Sequence, residues 1–434
     1  MFCKNCGNEL MQSEEYCAEC GQATCNACAV GHETVIRRRR YGKIAFIVGL
    51  AVGMMFMAAL TGVHGIYARQ RLGGVDPTTK VREIYGILER YSMHEFDMDY
   101  MLGSMYRGLI DGIGDHNAQY LDASSFEAFN QRIGGTFVGV GIQIIVDPDD
   151  DTVTVVTVFR GAPAEEAGIL PGDKIIYVDG NNVVGSSIEE VVSMITGREN
   201  TRVSLTIFRP LEGIELVKVL FRRRVEVPSV NHEIHSFGGE KIGYIQITTF
   251  DNMTHGQFEN ALDDLLKNNA SGIVIDLRNN SGGLLSSVNS ITNMLIPEGI
   301  VTFTEDAAGN RNNYYSDKTY LDIPLAVLVN EISASASEIL SGAVKDTGVG
   351  TIVGTSTFGK GTVQQTFELS DSSAIVITVR KYFTPNGVSI DGVGIEPNVH
   401  VEMNEELIRR IGNLPLHEDI QKQAAFDVIL GKLK

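Results

Sequence analysis

The chain has 434 residues, enough for two or three domains, and 43% of them are apolar, which is sufficient for sizeable cores. Its net charge of −18 argues against nucleic acid as a partner. All six cysteines lie within the first 28 residues. The rest of the chain therefore forms no disulfide bond, and the N-terminal tip is the expected place for metal binding.

Two cysteine pairs near the N-terminus have the spacing of a zinc ribbon, and a glycine follows each pair, as tight knuckle turns require. They predict one structural zinc site within a ribbon over residues 1–30, similar to short ribbons of bacterial proteins. Its thiolate ligands would be Cys3, Cys6, Cys17 and Cys20. A third pair, Cys25 and Cys28, could compete for this ion, form a second incomplete site or bind nothing. The ribbon would be either a purely structural element or a module that binds a partner.

A basic linker over residues 31–43 and a long apolar segment follow. Residues 44–68 contain no Asp, Glu, Lys or Arg. A helix of this length, at about 1.5 Å per residue, would span about 37 Å, more than the roughly 30 Å of a bilayer core. The segment begins too far into the chain for an ordinary signal peptide, so we expect a single transmembrane helix. The preceding Arg37 to Arg40 and Lys43 predict a cytoplasmic N-terminus and an extracytoplasmic body at a bacterial cell membrane.

The body is predicted to begin with helices. Apolar residues recur at helical spacing between positions 78 and 112, which indicates two helices joined near residues 92–97. The segment GDHNAQYLDASSF then ends this pattern. We assign residues 76–123 to a helical lead-in.

Residues 124–212 have the pattern of a small β-rich domain, with several short strands and one helix at 187–196. Gly139 begins a glycine-apolar turn before a strand, and AGILPGDKIIYVDG follows downstream; together they resemble a PDZ domain. Such a turn exposes successive N–H groups that can bind a terminal carboxylate, while a peptide adds as a strand to the sheet edge. The alternative is an ordinary hairpin turn. The resemblance assigns carboxylate binding to the N–H groups of Val140, Gly141 and Ile142.

Residues 213–434 alternate predicted strands and helices and therefore form a mixed α/β core. Strands are predicted at 241–250 and 272–277, each followed by a helix. Residues 403–434 are predicted to be an amphipathic helix. The sequence thus predicts a multi-domain α/β protein with a zinc ribbon, one transmembrane helix, a PDZ domain and an α/β core.

A serine cluster lies at a predicted strand-to-helix junction. An apolar run predicts a buried strand at 324–329, and residues 332–344 have helical periodicity, so the cluster SASAS at 333–337 lies at the junction. A serine there meets the free N–H groups and positive dipole end of a helix, which can stabilise an oxyanion. Ser335 is the candidate nucleophile, and Ser333 and Ser337 are expected to be helix caps.

Lys360 is the candidate general base. No histidine lies in a glycine-rich turn beside this segment, whereas Lys360 lies between Gly359 and Gly361 in uncharged surroundings. Desolvation there would lower the pKa of its amine toward neutrality. The following TVQQTFEL predicts a strand that places Gln364 on the same face as Lys360, where its side chain can orient the amine by hydrogen bonding.

The combination of SASASEI with a lysine inside TFGKGTVQQ is similar to the carboxyl-terminal processing (tail-specific) serine proteases, over about residues 76–434. The resemblance implies a serine endopeptidase that processes protein substrates recognised by their C-terminal tails, without a catalytic cofactor. Ser335 matches the nucleophile, Lys360 the base and Gln364 the supporting residue. Asp346 matches an acidic position that some members use structurally.

The glycine loop RNNSGG resembles the family's RNNPGG, with Ser281 in place of the usual proline. The resemblance makes the N–H group of Gly282 or Gly283, together with that of Ala336, a candidate for the oxyanion hole. Ser281 before two glycines is a rival nucleophile, but no His and Asp partners can be named for it.

Other interpretations remain beside this one. GTSTFGKG approaches a P-loop, but Gly361 replaces the required Ser or Thr and a strand follows; HEIH at 232–235 lacks the spacing of a zinc protease. The main alternative is a proteolytically inactive PDZ scaffold or signalling protein, which a missing Ser335 or Lys360 would have favoured. The resemblance also suggests a latent enzyme that opens when a peptide occupies the PDZ domain. The sequence predicts neither the identity of the substrates nor whether the protein forms a homo-oligomer.

Overall fold

The computed structural model describes residues 76–412 and 414–434. These residues fall into two compact units that meet in the sequence at Asp97 and Met98. Within the described ranges, no helix combines the length and the apolar content needed to cross a membrane. Three predicted segments lie outside the described residues: the zinc ribbon (1–30), the basic linker (31–43) and the transmembrane helix (44–68).

The two predicted lead-in helices are present. Helix α1 (Pro77–Tyr91) belongs to the first unit and begins after Asp76, whose side chain caps the helix by accepting a hydrogen bond from the Thr78 N–H. Helix α2 (Met98–Asp111) opens the second unit. The break between them falls at the predicted positions.

The next part of the second unit is a β-rich domain. The elements that follow α2 are β1 (Gln119–Leu121), α3 (Ala123–Gly134), β2 (Thr136–Gly139), β3 (Ile142–Val146), β4 (Val153–Val158), α4 (Pro163–Glu166), β5 (Lys174–Val178), β6 (Asn181–Asn182), α5 (Ile188–Ile195), β7 (Arg202–Arg209), β8 (Ile214–Phe221) and β9 (Arg223–Glu226). Five strands form an antiparallel sheet in the order β3-β4-β5-β7-β8, with β6 paired to β5, and β2 pairs with β9, whereas β1 joins a sheet of the core. Helix α5 begins after Ser187, which caps it in a capping box that Glu190 completes.

The remaining elements form the predicted α/β core. The strand after the β-rich domain contains the HEIH segment, most of which is exposed. The elements are β10 (Val230–Phe237), β11 (Glu240–Ile247), α6 (Thr254–Lys267), β12 (Gly272–Asp276), α7 (Leu285–Asn293), β13 (Gly299–Asp306), β14 (Arg311–Ser316), β15 (Leu325–Val329), α8 (Ala336–Thr347), β16 (Gly350–Gly354), β17 (Thr362–Glu368), β18 (Ala374–Phe383), β19 (Val399–His400), α9 (Glu405–Arg409) and α10 (Ile420–Leu433).

A six-stranded sheet in the order β10-β11-β12-β15-β16-β19 forms the centre of this core, and it is parallel from β11 onward. Side chains such as Ile275 and Val327 pack into one apolar cluster with α6, α7 and α8, whereas Val274 and Leu328 pack with α10 on the other face. Because both faces are covered, β12 and β15 are fully buried apolar runs. Their carboxyl ends lie at one sheet edge, the usual place for a site in such sheets.

A second sheet has the order β1-β18-β13-β14, and β17 pairs with β18 along its length. This hairpin holds the segment that follows Lys360.

The prediction of one amphipathic helix over 403–434 is wrong. The structure has two helices, α9 and α10, and α10 buries Phe426 and Ile429 against the central sheet. Gly412, with φ +98°, and Pro415 lie between the helices, and neither residue favours a continuous helix.

Candidate active site

Ser335 occupies the turn between β15 and α8. Its backbone has φ 55° and ψ −111°, a conformation that costs a non-glycine residue about 1–3 kcal/mol. A strained turn between a strand and a helix is a known way to expose a nucleophile at a helix N-terminus. The helix begins at Ala336, later than the predicted position 332, because Asn330 accepts hydrogen bonds from the N–H groups of Ile332 and Ser333 and forms a separate turn.

Glu338, which is fully buried, joins the turn at Ser335 to the segment before Lys360. Its Oε2 atom accepts hydrogen bonds from the main-chain N–H groups of Ser335 (2.8 Å) and Lys360 (2.9 Å). Its Oε1 atom accepts from the Gly359 N–H (2.7 Å) and from the Thr357 hydroxyl (2.6 Å). One carboxylate therefore fixes both backbones. Sequence analysis missed it, although Ser-x-x-Glu at a helix start is a capping-box pattern.

Tyr382 on β18 is a second link between the same two segments. Its hydroxyl group donates toward the main-chain carbonyl of Lys360 and lies 3.1 Å from the carbonyl oxygen of Ser335. Burial, together with the charge of Glu338, raises the pKa of Tyr382 well above its ordinary value, so the hydroxyl keeps its proton and remains a donor. No local sequence pattern identified this residue.

The glycines beside Lys360 permit close backbone contacts, as predicted. A Cβ atom on Gly359, where φ is +90°, would lie 2.9 Å from the Val393 nitrogen. A Cβ atom on Gly361 would lie 2.6 Å from the Asp391 nitrogen. Any other residue at either position would push the lysine segment away from its neighbours.

The half-buried Lys360 side chain has an altered acidity. Burial lowers the pKa of its amine below the ordinary value, and the carboxylates of Asp115 and Glu338 partly oppose this shift. A larger fraction of the amine is therefore neutral at a given pH than in an exposed lysine. A neutral amine can accept a proton from a hydroxyl group.

The glycine loop after β12 approaches the serine turn. A Cβ atom on Gly282 would lie 2.8 Å from the Ser335 Cβ atom. Gly282 was one of two predicted oxyanion donors, but its N–H group is already occupied, because it donates to Asn280 Oδ1 at 2.8 Å. The N–H groups of Gly283 and Ala336, by contrast, have no hydrogen-bond partner in the described part of the chain.

Buried polar contacts hold this loop in place. Arg278 is buried and forms ion pairs with Asp276 (2.6 Å) and with Asp419 (2.8 Å) at the start of α10. Ser333 donates to the Leu277 carbonyl at 2.8 Å. Ser337 similarly donates to the carbonyl of Asn280 at 2.9 Å. Ser333 and Ser337 are thus structural residues, as expected, but they join two loops rather than only capping a helix.

The candidate residues line one cavity of about 520 Å³. Besides the serine turn, its walls come from the glycine loop, from α3 and from the start of β17. Within the described residues, no hydrogen bond joins the Ser335 hydroxyl to the Lys360 amine. The predicted residues that line the cavity are Ser281, Gly282, Gly283, Ser335, Ala336, Lys360 and Gln364.

The expected hydrogen bond from Gln364 to Lys360 is absent. Gln364 lies in the cavity, but its side-chain amide donates to the hydroxyl groups of Thr362 (2.9 Å) and Thr378 (3.2 Å). Thr378 is its cross-strand neighbour, and Thr362 lies two positions earlier on the same face, so both acceptors are closer at hand than the lysine.

Two further predicted positions have other surroundings. The rival Ser281 is exposed at the cavity wall, and no histidine forms a hydrogen bond with it within the described residues. Asp346, in α8, accepts a hydrogen bond from the Asn386 N–H at 2.9 Å. It therefore stabilises a loop.

The glycine-apolar turn of the β-rich domain lies directly before the edge strand β3. The carbonyl groups of Val140 and Gly141 accept hydrogen bonds from Ala164 and Phe159 (both 2.9 Å). The N–H groups of Val140 and Gly141 have no hydrogen-bond partner among the described residues, and Ile142 is the first residue of β3. A Cβ atom on Gly141, with φ +79°, would lie 2.2 Å from that of Ala162, so the turn requires glycine.

Comparison with known proteins gives a consistent result. The profile of peptidase family S41 matches residues 241–401, and a PDZ domain profile matches residues 154–209. A probable CtpA-like serine protease of Staphylococcus aureus (strain N315) is 33% identical over 376 residues, which cover 85% of this chain and 74% of that protein. A carboxyl-terminal-processing protease of Synechocystis sp. is 36% identical over 299 residues, covering 68% of this chain and 69% of that protein. Among solved structures, the photosystem II D1 C-terminal processing protease is 31% identical, with a TM-score of 0.44, and covers 78% of this chain and 92% of that one.

The chain belongs to peptidase family S41, among the carboxyl-terminal processing serine proteases. It contains a PDZ domain and acts on protein substrates. The family and the PDZ domain predicted from the sequence are confirmed.

Proposed function

We propose that the chain is a membrane-anchored serine endopeptidase in which Ser335 is the nucleophile and Lys360 the general base. The observation that carries this proposal is one cavity lined by both residues together with Gly283 and Ala336, whose N–H groups have no hydrogen-bond partner among the described residues. Neutral Lys360 would take the Ser335 proton as the hydroxyl oxygen attacks a peptide carbonyl. The two N–H groups would stabilise the oxyanion. The amine then returns the proton to the leaving nitrogen, and water releases the acyl group.

The absence of a hydrogen bond between the Ser335 hydroxyl and the Lys360 amine is compatible with this mechanism. Catalytic hydrogen bonds are often long in unliganded enzymes and shorten when substrate binds. The described conformation would then be a resting state whose catalytic pair closes around a substrate.

We assign substrate-tail recognition to the PDZ domain. The N–H groups of Val140, Gly141 and Ile142 would bind the terminal carboxylate, and the tail would pair with β3, which is an edge strand of its sheet. Isothermal titration with a peptide that ends in apolar residues tests this assignment. We expect Gly141→Ala to weaken binding at least tenfold, since its Cβ atom would collide with Ala162; equal affinity would contradict it.

Residues 44–68 would anchor the protein, with the N-terminal ribbon in the cytoplasm and the protease body outside.

The ribbon would bind one structural zinc ion, which supplies folding energy to it. Its ligands would be Cys3, Cys6, Cys17 and Cys20. Zinc content of the purified chain tests the ribbon. We expect about one ion per chain, lost in Cys3→Ser but kept in Cys25→Ser; no bound zinc in the wild type would refute the site.

Cleavage of an unstructured protein with an apolar C-terminus tests the protease proposal. We expect Ser335→Ala and Lys360→Ala to lose activity by at least about a thousandfold, while Ser281→Ala retains it. Lys345→Ala is a matched lysine control, because Lys345 does not line the cavity and its amine donates a hydrogen bond to the carbonyl of Glu396. Full activity in Lys360→Ala would remove the lysine from the mechanism.

A further inference from the structure

We propose that Arg132 selects substrates that present a carboxylate close to the peptide bond to be cleaved. This inference rests on the proposed function, because it concerns the substrate of the same cavity and adds a determinant of specificity to it. Arg132 lies in the last turn of α3 and lines the cavity that Ser335 also lines. Nothing in the sequence pattern of α3 indicated a link to the proposed catalytic residues.

Helix α3 turns one face to the cavity. Phe129, Arg132 and Ile133 all line it, and their spacing of three and four residues places them side by side on a helix. Phe129 and Ile133 are half-buried, whereas Arg132 is exposed. The face therefore combines an apolar surface with one guanidinium group that a bound substrate can reach.

Main-chain hydrogen bonds fix the end of α3 close to the glycine loop. The Ile133 carbonyl accepts a hydrogen bond from the Asn252 N–H at 3.0 Å. In the same short loop after β11, the Phe250 N–H donates to the Gly282 carbonyl, also at 3.0 Å. The end of the helix that carries Arg132 is thus joined through this loop to the segment of the proposed oxyanion hole.

Arg132 carries a charge in this cavity that no described residue neutralises. Its side chain forms no hydrogen bond or ion pair within the described part of the chain. The cavity has two other charged residues, of which Lys360 is the proposed base. Asp251 is buried and accepts hydrogen bonds from the N–H groups of Met253 (2.7 Å) and Thr254 (3.0 Å). Its carboxylate therefore stabilises the start of α6 and is not a partner of Arg132.

The chemistry of the guanidinium group defines the ligand. It binds a carboxylate through two parallel, charge-assisted hydrogen bonds, and it remains charged throughout the pH range of enzyme activity. The chain has 54 acidic and 36 basic residues, so an unpaired cation in the cavity is a local exception to an acidic surface. A peptide substrate offers the carboxylate from two sources, an acidic side chain or its own C-terminus.

The first test compares substrates that differ in one carboxylate. An unstructured peptide with an apolar C-terminus is prepared with Glu or Gln at each position around the cleaved bond in turn, and kcat/KM is measured with the full-length chain. We expect the wild type to favour Glu about tenfold at one position and Arg132→Gln to cleave both peptides equally. Arg132→Glu should instead favour Lys at that position. Since the Arg132 side chain is exposed and unpaired among the described residues, both variants should fold.

A second arm identifies the source of the carboxylate. A peptide without acidic side chains is compared as the free acid and as the C-terminal amide. The PDZ domain also distinguishes these two peptides in the proposed function, so the informative quantity is the change in their ratio between wild type and Arg132→Gln. An effect of Arg132→Gln that is confined to the free acid would identify the terminal carboxylate as the ligand.

Arg224→Gln is the matched control, because Arg224 on β9 is also exposed, does not line the cavity and has no ion-pair partner among the described residues. It should retain the wild-type ratios. The proposal would be overturned if Arg132→Gln left both ratios unchanged, or if it lowered the cleavage of Glu, Gln and amidated peptides equally. Cleavage by Ser335→Ala with the same preference for Glu would refute the proposed nucleophile and leave the role of Arg132 intact.

Discussion

At the residue scale, Glu338 is the side chain on which the geometry of the site depends most. Four donors from the turn at Ser335 and the segment before Lys360 converge on its carboxylate, and the side chain has no solvent exposure. Hydrogen bonds to a charged group contribute about 1.5–3 kcal/mol each, and a buried group that loses its partners carries a further penalty. The two candidate residues are therefore positioned by one buried charge.

Glu338→Gln should destabilise the protein and inactivate it. The new NH₂ group would face donors instead of accepting from them, so we expect a loss of about 2–4 kcal/mol in the free energy of unfolding and a fall in kcat/KM of at least about 100-fold. Urea unfolding and peptide cleavage measure both. Glu331→Gln is the control, because Glu331 is exposed and accepts a hydrogen bond from the Thr355 hydroxyl alone among the described residues. Wild-type stability and activity in Glu338→Gln would show that the carboxylate is not needed.

The lowered pKa of Lys360 also affects stability, and its sign can be worked out. Below the folded-state pKa both states are charged and burial of the charge destabilises the fold. Between that value and the unfolded-state value of 10.5, the unfolded chain binds more protons, so stability rises with pH. The penalty is thus complete at low pH and relieved as the pH approaches 10.5.

Lys360→Met should therefore be more stable than the wild type at pH 7, and the difference should shrink as the pH rises toward 10.5. The same variant should have lost activity by at least about a thousandfold. Urea unfolding at neutral and alkaline pH measures the first effect. Lys318→Met, at a side chain that is 83% exposed, should show no pH-dependent difference. A constant difference at all pH values would mean that burial does not perturb the lysine.

At the scale of elements, the loop after β12 and the turn after β15 form one unit. Gly282 lies against Ser335, and a Cβ atom on Gly283, with φ +144°, would lie only 2.1 Å from the Phe250 carbonyl oxygen. Each glycine therefore permits a backbone approach that a side chain would prevent. A side chain at either position would displace the N–H groups of the loop before it unfolded the protein.

Gly282→Ala should reduce kcat by about 100-fold or more, because the added methyl group would displace Ser335 or the Ala336 N–H. The control is Gly256→Ala in α6, where a Cβ atom meets nothing within 4 Å and alanine favours the helix. We expect that variant to keep full activity and to gain about 0.5–1 kcal/mol of stability. Steady-state kinetics and thermal unfolding compare the two variants. Normal kcat in Gly282→Ala would argue against close contact at the serine turn.

The sequence predicted those elements whose signal is local. The apolar runs of β12 and β15 and the helical periodicity of α1 and α2 each lie within one segment, and their positions were found. The break between α9 and α10 was missed although Gly412 and Pro415 mark it, since the apolar spacing alone continues across them. Glu338 had a local capping-box signal that was overlooked.

The remaining features of the site depend on contacts between distant positions. The hydroxyl of Tyr382 reaches the Ser335 carbonyl from another sheet, and Asp115 reaches Thr378 across most of the chain. The Gly282 N–H group is occupied because the Asn280 side chain folds back on its own loop and accepts its hydrogen bond. No spacing rule in one sequence contains this information.

At the scale of the whole molecule, the distribution of cysteines offers a test of topology. All six lie in the first 28 residues, before the proposed transmembrane helix, and the body has none. A membrane-impermeant maleimide should therefore label the chain only after lysis if the N-terminus is cytoplasmic. The matched control is Lys318→Cys in a chain whose six cysteines are serine, which should be labelled in intact cells. The reverse pattern would place the protease body in the cytoplasm.

The most direct test of the central claim is to locate the acyl group. The full-length chain is mixed with an activated peptide ester, quenched in acid within milliseconds and digested, and the acylated fragment is identified by mass spectrometry. We expect the acyl group on Ser335 in the wild type, and no acyl group in Lys360→Ala over the same time. Acylation of Ser281, or rapid cleavage of the ester by Ser335→Ala, would contradict the assignment of the nucleophile.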